Sequence, residues 1–417
     1  MADDSISGRG TGIIARMPET IEIRIEKVIY GGHGLGRLDG QAVFIPFTAP
    51  GDLVKARITE RAKGFLRAEV VERLESGSNR REPRCVYFGE CGGCQLQHLT
   101  YDAQLAAKAE FVRDAIERIG RMPVPNDIVV RSSPDHEFGY RVRATAHVVR
   151  MEVGTLFGFH AEKTHRVVDV ARCPLFVPEL DSAWVAARAA RESLTTSRIV
   201  ELTAGDNEAA TEPAVPGVGR GPVASTIGGV KYTFGPGEFF QVNRPLVGAL
   251  VDAAIDGLSD AGGIAIELYS GVGLFTIPLS RRFAKVVAVE SRREAVALAH
   301  ANARANGASE HRAHRGAGRT MASVTESRTG VASAALIDPP RSGLGAQSAR
   351  DLARLAPRRI VYVSCDPTTL ARDLRILVDS GYALDSVDAF DLFPQTFHVE
   401  TIARLSLGEP TESGVTG

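Results

Sequence analysis

The amino-acid sequence predicts an α/β protein: a doubly wound, mostly parallel sheet in its C-terminal part, preceded by a small β-barrel and a mixed α/β insert. Three observations carry this expectation. Short strand-like runs broken by Gly and Pro fill the first 75 residues, apolar strands alternate with helix-like segments from Gly237 onward, and each later strand ends at a polar or Gly-rich turn. A chain of 417 residues with 44% hydrophobic content is also too long for one ordinary core.

The barrel begins at Ile21-Glu-Ile-Arg-Ile-Glu26, which alternates apolar and polar residues as a half-buried strand does. Tyr30 to Arg37, Ala42 to Pro46, Pro50 to Ile58 and Phe65 to Val71 follow, separated by turn residues. The ordered set Gly31-Gly32, Gly34, Gly36-Arg37, Asp39-Gly40, Val43 to Pro46 and Pro50-Gly51-Asp52 resembles the TRAM domain, an OB-like RNA-binding module. The boundaries expected are residues 1–14 disordered, 15–75 barrel, 76–235 central domain and 236–410 catalytic domain.

A formal net charge of -1 gives no global sign of a polyanionic partner. Arg57, Arg61, Lys63, Arg67, Arg73, Arg80, Arg81 and Arg84 nevertheless crowd one stretch, as either a solvated surface or a phosphate-tracking one. No run approaches the roughly 20 apolar residues of a membrane span, and the start lacks a signal-peptide pattern, so a cytoplasmic protein is expected, with monomer as the default. Cysteines in that compartment stay reduced and serve metals or catalysis.

In the central stretch, Leu105 to Ile119 and Val177 to Ser193 read as helices, and Arg141 to Val149 and Gly154 to His160 as strands. Gly205 to Pro222 reads as a mobile loop. Cys85, Cys91 and Cys94, with Cys173 downstream, have the spacing of metal ligands, suiting a [4Fe-4S] cluster or zinc.

The chemistry sits further on. Glu267-Leu-Tyr269-Ser-Gly271-Val-Gly273 joins a strand to a helix, where glycines let backbone approach a ligand. Glu290 ends the next strand about 20 residues on, where an acid reaches ribose hydroxyls. This spacing resembles the S-adenosylmethionine site of class I methyltransferases. Asp338-Pro-Pro-Arg341 presents an acid from an extended turn, and Cys365 closes a buried strand as the one thiol left over from the four-ligand set. Its activation is expected from the start of the following helix. Phe239 is a candidate for stacking on an extruded base and Gln241 for a cofactor or base edge, and Asn243 for a helix start.

Phe-Gln-Val-Asn, Leu-Tyr-Ser-Gly-Val-Gly, Asp-Pro-Pro-Arg, Ser-Cys-Asp-Pro and His-Val-Glu fall in the order of the RNA uracil-C5 methyltransferase family, and the chain resembles its RumA-like branch. The resemblance implies S-adenosylmethionine contacts at Gln241, Tyr269, Gly271, Gly273, Glu290 and Asp338, a nucleophile at Cys365 and a base at Glu400. It implies a [4Fe-4S] cluster, more than zinc, on Cys85, Cys91, Cys94 and Cys173, and a uridine of 23S ribosomal RNA, or of tRNA, as target. Glu267 and Ser270 depart from the family's usual Asp and Cys. Radical methylthiolation would need a Cys-x3-Cys-x2-Cys motif, absent here, and a non-catalytic RNA-binding factor would show a damaged site, whereas Cys365, Glu400 and Asp338 are intact.

Overall fold

The computed structural model describes residues 19–194, 198–258, 263–308, 311–315 and 332–408; the stretch expected to be disordered, residues 1–14, lies outside them. The chain forms two compact units, one containing His33–Arg80 with the residues up to Val28, the other Ile29–Gly32 with Arg81 onward.

The first unit is a closed barrel of β1 (Thr20–Val28), β2 (His33–Leu38), β3 (Gln41–Pro46), β4 (Leu53–Ala62) and β5 (Phe65–Glu75), in the order β1-β2-β3-β5-β4. Strand alternation sends Ile21, Ile23 and Ile25 inward against Val43, Ile45, Val54 and Leu66. Glycine is required at position 36, because a Cβ there would stand 2.6 Å from the Arg24 carbonyl oxygen. Much of the crowded arginine charge is paired locally: Arg57 with Glu69 at 3.3 Å, Arg67 with Glu60 at 3.1 Å, and Arg61 with Glu19. These half-exposed pairs add little stability. Arg80 is different, being buried against Asp52, whose carboxylate also accepts the Ala49 and Gly77 amides at 2.8 Å each.

In the second unit, α1 (Tyr101–Asp114) and β6 (Val130–Arg131) precede a five-stranded antiparallel sheet made of β7 (Arg143–Arg150), β8 (Thr155–His160), β9 (Val167–Asp169), β10 (Ile199–Ala204) and β11 (Ala209–Glu212). Helix α2 (Pro178–Ala189) covers that sheet through Trp184, whose ring lies 4.8 Å from those of Phe157 and Phe159. Strand β11 corrects the expectation of a mobile loop over 205–222: it pairs with β10 from Ala204↔Ala209 to Glu201↔Glu212. Backbone bonds and two buried small residues, Ala210 and Thr211, hold it, so no apolar run marks it in the sequence.

A hairpin of β12 (Val223–Ile227) and β13 (Val230–Phe234) leads into the alternating region: α3 (Val247–Asp256), β14 (Ile264–Leu268), α4 (Thr276–Ser280), β15 (Lys285–Glu290), α5 (Arg293–Ala305), β16 (His311–Arg315), β17 (Ala334–Ile337), α6 (Gly345–Arg354), β18 (Arg359–Ser364), α7 (Pro367–Asp379), β19 (Tyr382–Phe390) and β20 (Glu400–Leu407). The sheet runs β16-β15-β14-β17-β18-β20-β19-β6, parallel from β16 to β18 and antiparallel where β20 meets its neighbours. Apolar cores cover both faces, one holding Leu250, Ile277 and Val361, the other Ile266, Tyr362 and Leu370. Val112 and Ile116 join the second core and β6 pairs with β19, so residues 101–131 pack on this sheet rather than on the β7–β11 sheet. Strand order reverses between β14 and β17, where a doubly wound sheet opens a crevice for ligands.

Candidate active site

Parallel register places four sequence-derived residues along that crevice. Leu268 pairs with Val289 and with Ile337, so Tyr269, Glu290 and Asp338 emerge side by side at the strands' carboxyl ends, with Cys365 one strand further along. Together with Phe239, Gln241, Gly271, Arg341 and Glu400 they line one pocket of about 580 Å³. Tyr269 has φ 63° and Gly271 φ 53°, so the loop turns in the left-handed region just where it must fold back over the strand. A Cβ added at Gly271 would meet no protein atom, which leaves open space beside the loop. Gly273, at φ 95°, turns the chain into α4.

Glu290 is held by backbone: its carboxylate accepts Gly271 N at 3.0 Å, Ser291 N at 2.7 Å and Arg292 N at 2.8 Å. Gln241 donates to Asp338, while its buried Oε1 has no partner among the described residues and remains available to a ligand. Burial raises the Asp338 carboxyl above its ordinary range, with the Gln241 bond opposing it. Beneath the glycine loop, burial pushes Glu267 up to about 8, and its carboxylate accepts from Thr276 Oγ1 at 2.5 Å. Gln241 Oε1 and the open glycine loop fit an adenosine-bearing ligand with polar groups at both ends.

Cys365 and Glu400 are brought together by antiparallel register. Ser364 pairs with Thr401, and Thr401 Oγ1 donates to the Ser364 carbonyl at 2.9 Å, so the next residues on each strand, Cys365 and Glu400, face one another. Burial first and then Glu400 push the thiol up to about 12, and Arg341 opposes them. Glu400 is itself raised well above its ordinary value by burial and by Asp338. The expectation that α7's N-terminus activates Cys365 needs correction: Asp366 takes the free amides, Thr368 N at 2.8 Å and Thr369 N at 3.2 Å, and its charge opposes thiolate formation. Arg341 is the favourable cation instead.

The paired phenylalanines split. Phe240 stacks on Phe234 in the core at 4.0 Å, whereas Phe239 is 58% exposed at the pocket, with the Arg143 guanidinium 5.9 Å from its ring centroid. The helix start expected at Asn243 falls later: α3 begins at Val247 with Leu246 at its N-cap, and Asn243 Oδ1 accepts Leu246 N at 3.0 Å in the turn that leads into it. Sequence reasoning left Arg143 and His398 without roles. His398 stands in the His-Val-Glu motif and contacts Arg341, so its position next to Glu400 was the available signal.

Cys85, Cys91, Cys94 and Cys173 line a second cavity of about 90 Å³ together with Arg141 and Phe176. Burial, opposed by a hydrogen bond to Gln97 and aided by Cys91 and Cys85, pushes the Cys94 thiol up to about 12. Among the described residues, no three His, Cys, Asp or Glu side chains are grouped closely enough to hold one metal ion. No described helix is long and apolar enough to cross a membrane.

Residues 18–71 match the TRAM domain and residues 226–406 match tRNA (Uracil-5-)-methyltransferase. An uncharacterized RNA methyltransferase of Aquifex aeolicus is 32% identical over 93% of this chain and 98% of its own. The 23S rRNA (uracil(1939)-C(5))-methyltransferase RlmD of Alkalilimnicola ehrlichii is 34% identical, over 93% of this chain and 97% of its own. Among solved structures, the Pyrococcus abyssi tRNA (uracil-54, C5)-methyltransferase in complex with S-adenosyl-L-homocysteine superposes with a TM-score of 0.68 at 27% identity, covering 92% of this chain and 100% of that one. Relatives of this identity, matched almost end to end, show that the chain belongs to the tRNA (uracil-5-)-methyltransferase family of RNA methyltransferases.

Proposed function

We propose that this protein methylates carbon 5 of one uridine in 23S ribosomal RNA through a transient bond between Cys365 and carbon 6 of the base. The observation that carries the reading is that Cys365 and Glu400, the residues just beyond the Ser364↔Thr401 pair, line one pocket with Asp338 and Gln241. Gln241, Tyr269, Gly271, Gly273, Glu290 and Asp338 would hold S-adenosylmethionine, which supplies a methyl group on a cationic sulfur. Arg341 stabilises the Cys365 thiolate once its proton has left. The sulfur's electron pair bonds to carbon 6 and the ring's double-bond pair moves toward carbon 5, which would take the methyl group as the methyl–sulfonium bond breaks and its pair leaves on the sulfur of S-adenosylhomocysteine. Glu400 then takes the proton from carbon 5, the double bond re-forms and the bond to sulfur breaks. A carboxylate raised by burial is, once ionised, a stronger base than an exposed one. Phe239 stacks on the base drawn out of the RNA.

The barrel, residues 15–75, binds RNA in this scheme, the central stretch 76–235 carries the thiols, and 236–410 does the chemistry. Cys85, Cys91, Cys94 and Cys173 hold a [4Fe-4S] cluster with a structural role, since methyl transfer moves no net electrons. Iron and acid-labile sulfide analysis of anaerobically purified protein tests this; a zinc content with no sulfide would reject it.

Nucleoside analysis of 23S rRNA and tRNA from a deletion strain tests the substrate. Loss of one 5-methyluridine from 23S rRNA is expected. Loss from tRNA alone would favour the second reading, which the likeness to the Pyrococcus tRNA enzyme supports. Cys365→Ala should abolish turnover, and Glu400→Gln should accumulate an RNA adduct on denaturing gels; no adduct would remove Glu400 from its role.

A further inference from the structure

Between barrel strands β1 and β2 the chain runs through Ile29–Gly32, and these four residues belong to the second compact unit. Tyr30 is half-buried there, edge-on to Phe111 at 5.9 Å and to Phe397 at 5.1 Å, and Phe397 in turn lies 4.1 Å from His398. Its hydroxyl faces the carboxylate of Asp366, the residue after Cys365. Asp366 uses one oxygen, Oδ1, for the start of α7: Thr368 N at 2.8 Å, Thr368 Oγ1 at 2.5 Å and Thr369 N at 3.2 Å. Tyr30 adds a hydrogen bond to the same carboxylate from outside the helix.

We propose that Tyr30 is a positioning residue for the nucleophile, holding the Asp366 carboxylate toward α7 and drawing off part of its charge. The inference rests on Cys365 being the nucleophile. Charged or titratable groups reach the thiol from each neighbouring element: Glu400 from β20, Asp338 and Arg341 from the turn after β17, and Asp366 beside it. Three are acids, so ionising the sulfur is costly, and a hydrogen bond that spreads the charge of the adjacent acid lowers that cost. If Tyr30 served only as packing, a phenylalanine ring would replace it without loss.

The test uses the full chain. Alkylation of Cys365 by iodoacetamide is followed across pH by peptide mass spectrometry, which separates this thiol from the other four, alongside kcat and KM. Tyr30→Phe should slow Cys365 alkylation about three- to tenfold at neutral pH. Its pH profile should move upward, with kcat falling in proportion and KM for S-adenosylmethionine unchanged. Adding Tyr30→Phe to Asp366→Asn should change little further, because the charge it spreads is gone. Coincident profiles for parent and Tyr30→Phe, or additive effects in the double variant, overturn the proposal. If Cys365 of the parent resists alkylation at every pH, the nucleophile assignment fails, and this inference with it.

Discussion

Arg341 Nη2 stands 3.1 Å from Nε2 of His398, and this contact orients a cation that favours the Cys365 thiolate. Guanidinium can only donate, so His398 must accept at Nε2 and carry its proton on Nδ1. Burial, with Arg341 adding to it, pushes the His398 ring down to about 3, which keeps it neutral across the physiological range. The unfolded chain binds this proton near 6.5 and the native protein only near 3, so the ring's contribution is fully present above 6.5 and is lost as pH falls through that window. His398→Ala should lower kcat about tenfold with little change in KM for S-adenosylmethionine, on the scale of one hydrogen bond to a charged group. His398→Gln, whose amide oxygen can accept from Arg341, should recover part of the loss. Equal kcat in parent and His398→Ala would show that Arg341 is held by other means.

Glu267 gives a stability prediction with the opposite pH sign. Its native carboxyl keeps a proton up to about 8, whereas the unfolded one loses it near 4.5, so stability falls as pH rises through that range. Glu267→Gln mimics the protonated form and still accepts from Thr276 Oγ1. The variant should match the parent near pH 4.5 and exceed it by on the order of 2–4 kcal/mol near pH 8. Denaturant melts at the two pH values measure this; a variant no more stable at the higher pH would mean that the native carboxyl ionises normally.

The catalytic set was legible because each member closes a strand: Tyr269, Glu290, Asp338 and Cys365 follow apolar runs of β14, β15, β17 and β18, and register turns that pattern into a row. Glu400 was legible only through its motif, since the pairing of β20 with β18 spans 36 residues that no local pattern connects. The state of the thiol was not legible. Asp366 reads in sequence as part of Ser-Cys-Asp-Pro, but only the folded helix start shows that it consumes the amides expected to favour Cys365. Tyr30 was hidden differently: it opens the Gly-rich run Tyr30 to Arg37 that reads as part of the barrel, while its ring packs with Phe111 and Phe397. Strand β11 escaped because backbone pairing and two small buried residues hold it, with no apolar run to mark it.

Within the barrel, Asp52 is the group whose loss should cost most. Burial alone would raise its carboxyl, but the Arg80 hydrogen bond and the Ala49 and Gly77 amides bring it below its usual value. The stability it contributes is therefore present above about 3.8 and lost as pH falls below it. Asp52→Ala leaves Arg80, 9% exposed, without its partner and should destabilise the barrel by about 3–5 kcal/mol. Thermal unfolding of the full chain should show the barrel melting earlier, and a transition at the parent temperature would argue against this role.

Phe239 yields the test of base recognition. It keeps a large aromatic face exposed although Phe240, next to it, is buried in the core, and an aromatic ring left exposed at a pocket mouth implies a flat partner. Arg143 lies over the ring and is fixed from behind by the Pro236 carbonyl at 3.1 Å and by Glu201 at 3.4 Å. Stacking of a base on one ring is worth about 1–3 kcal/mol, so Phe239→Ala should raise KM for an RNA substrate about 5- to 150-fold. Phe239→Tyr should stay close to the parent, and the Kd for S-adenosylmethionine should stay within about twofold in both, since the ring's proposed partner is the base. A Phe239→Ala protein that loses cofactor affinity and keeps RNA affinity would assign the ring to the adenosine end of the pocket instead.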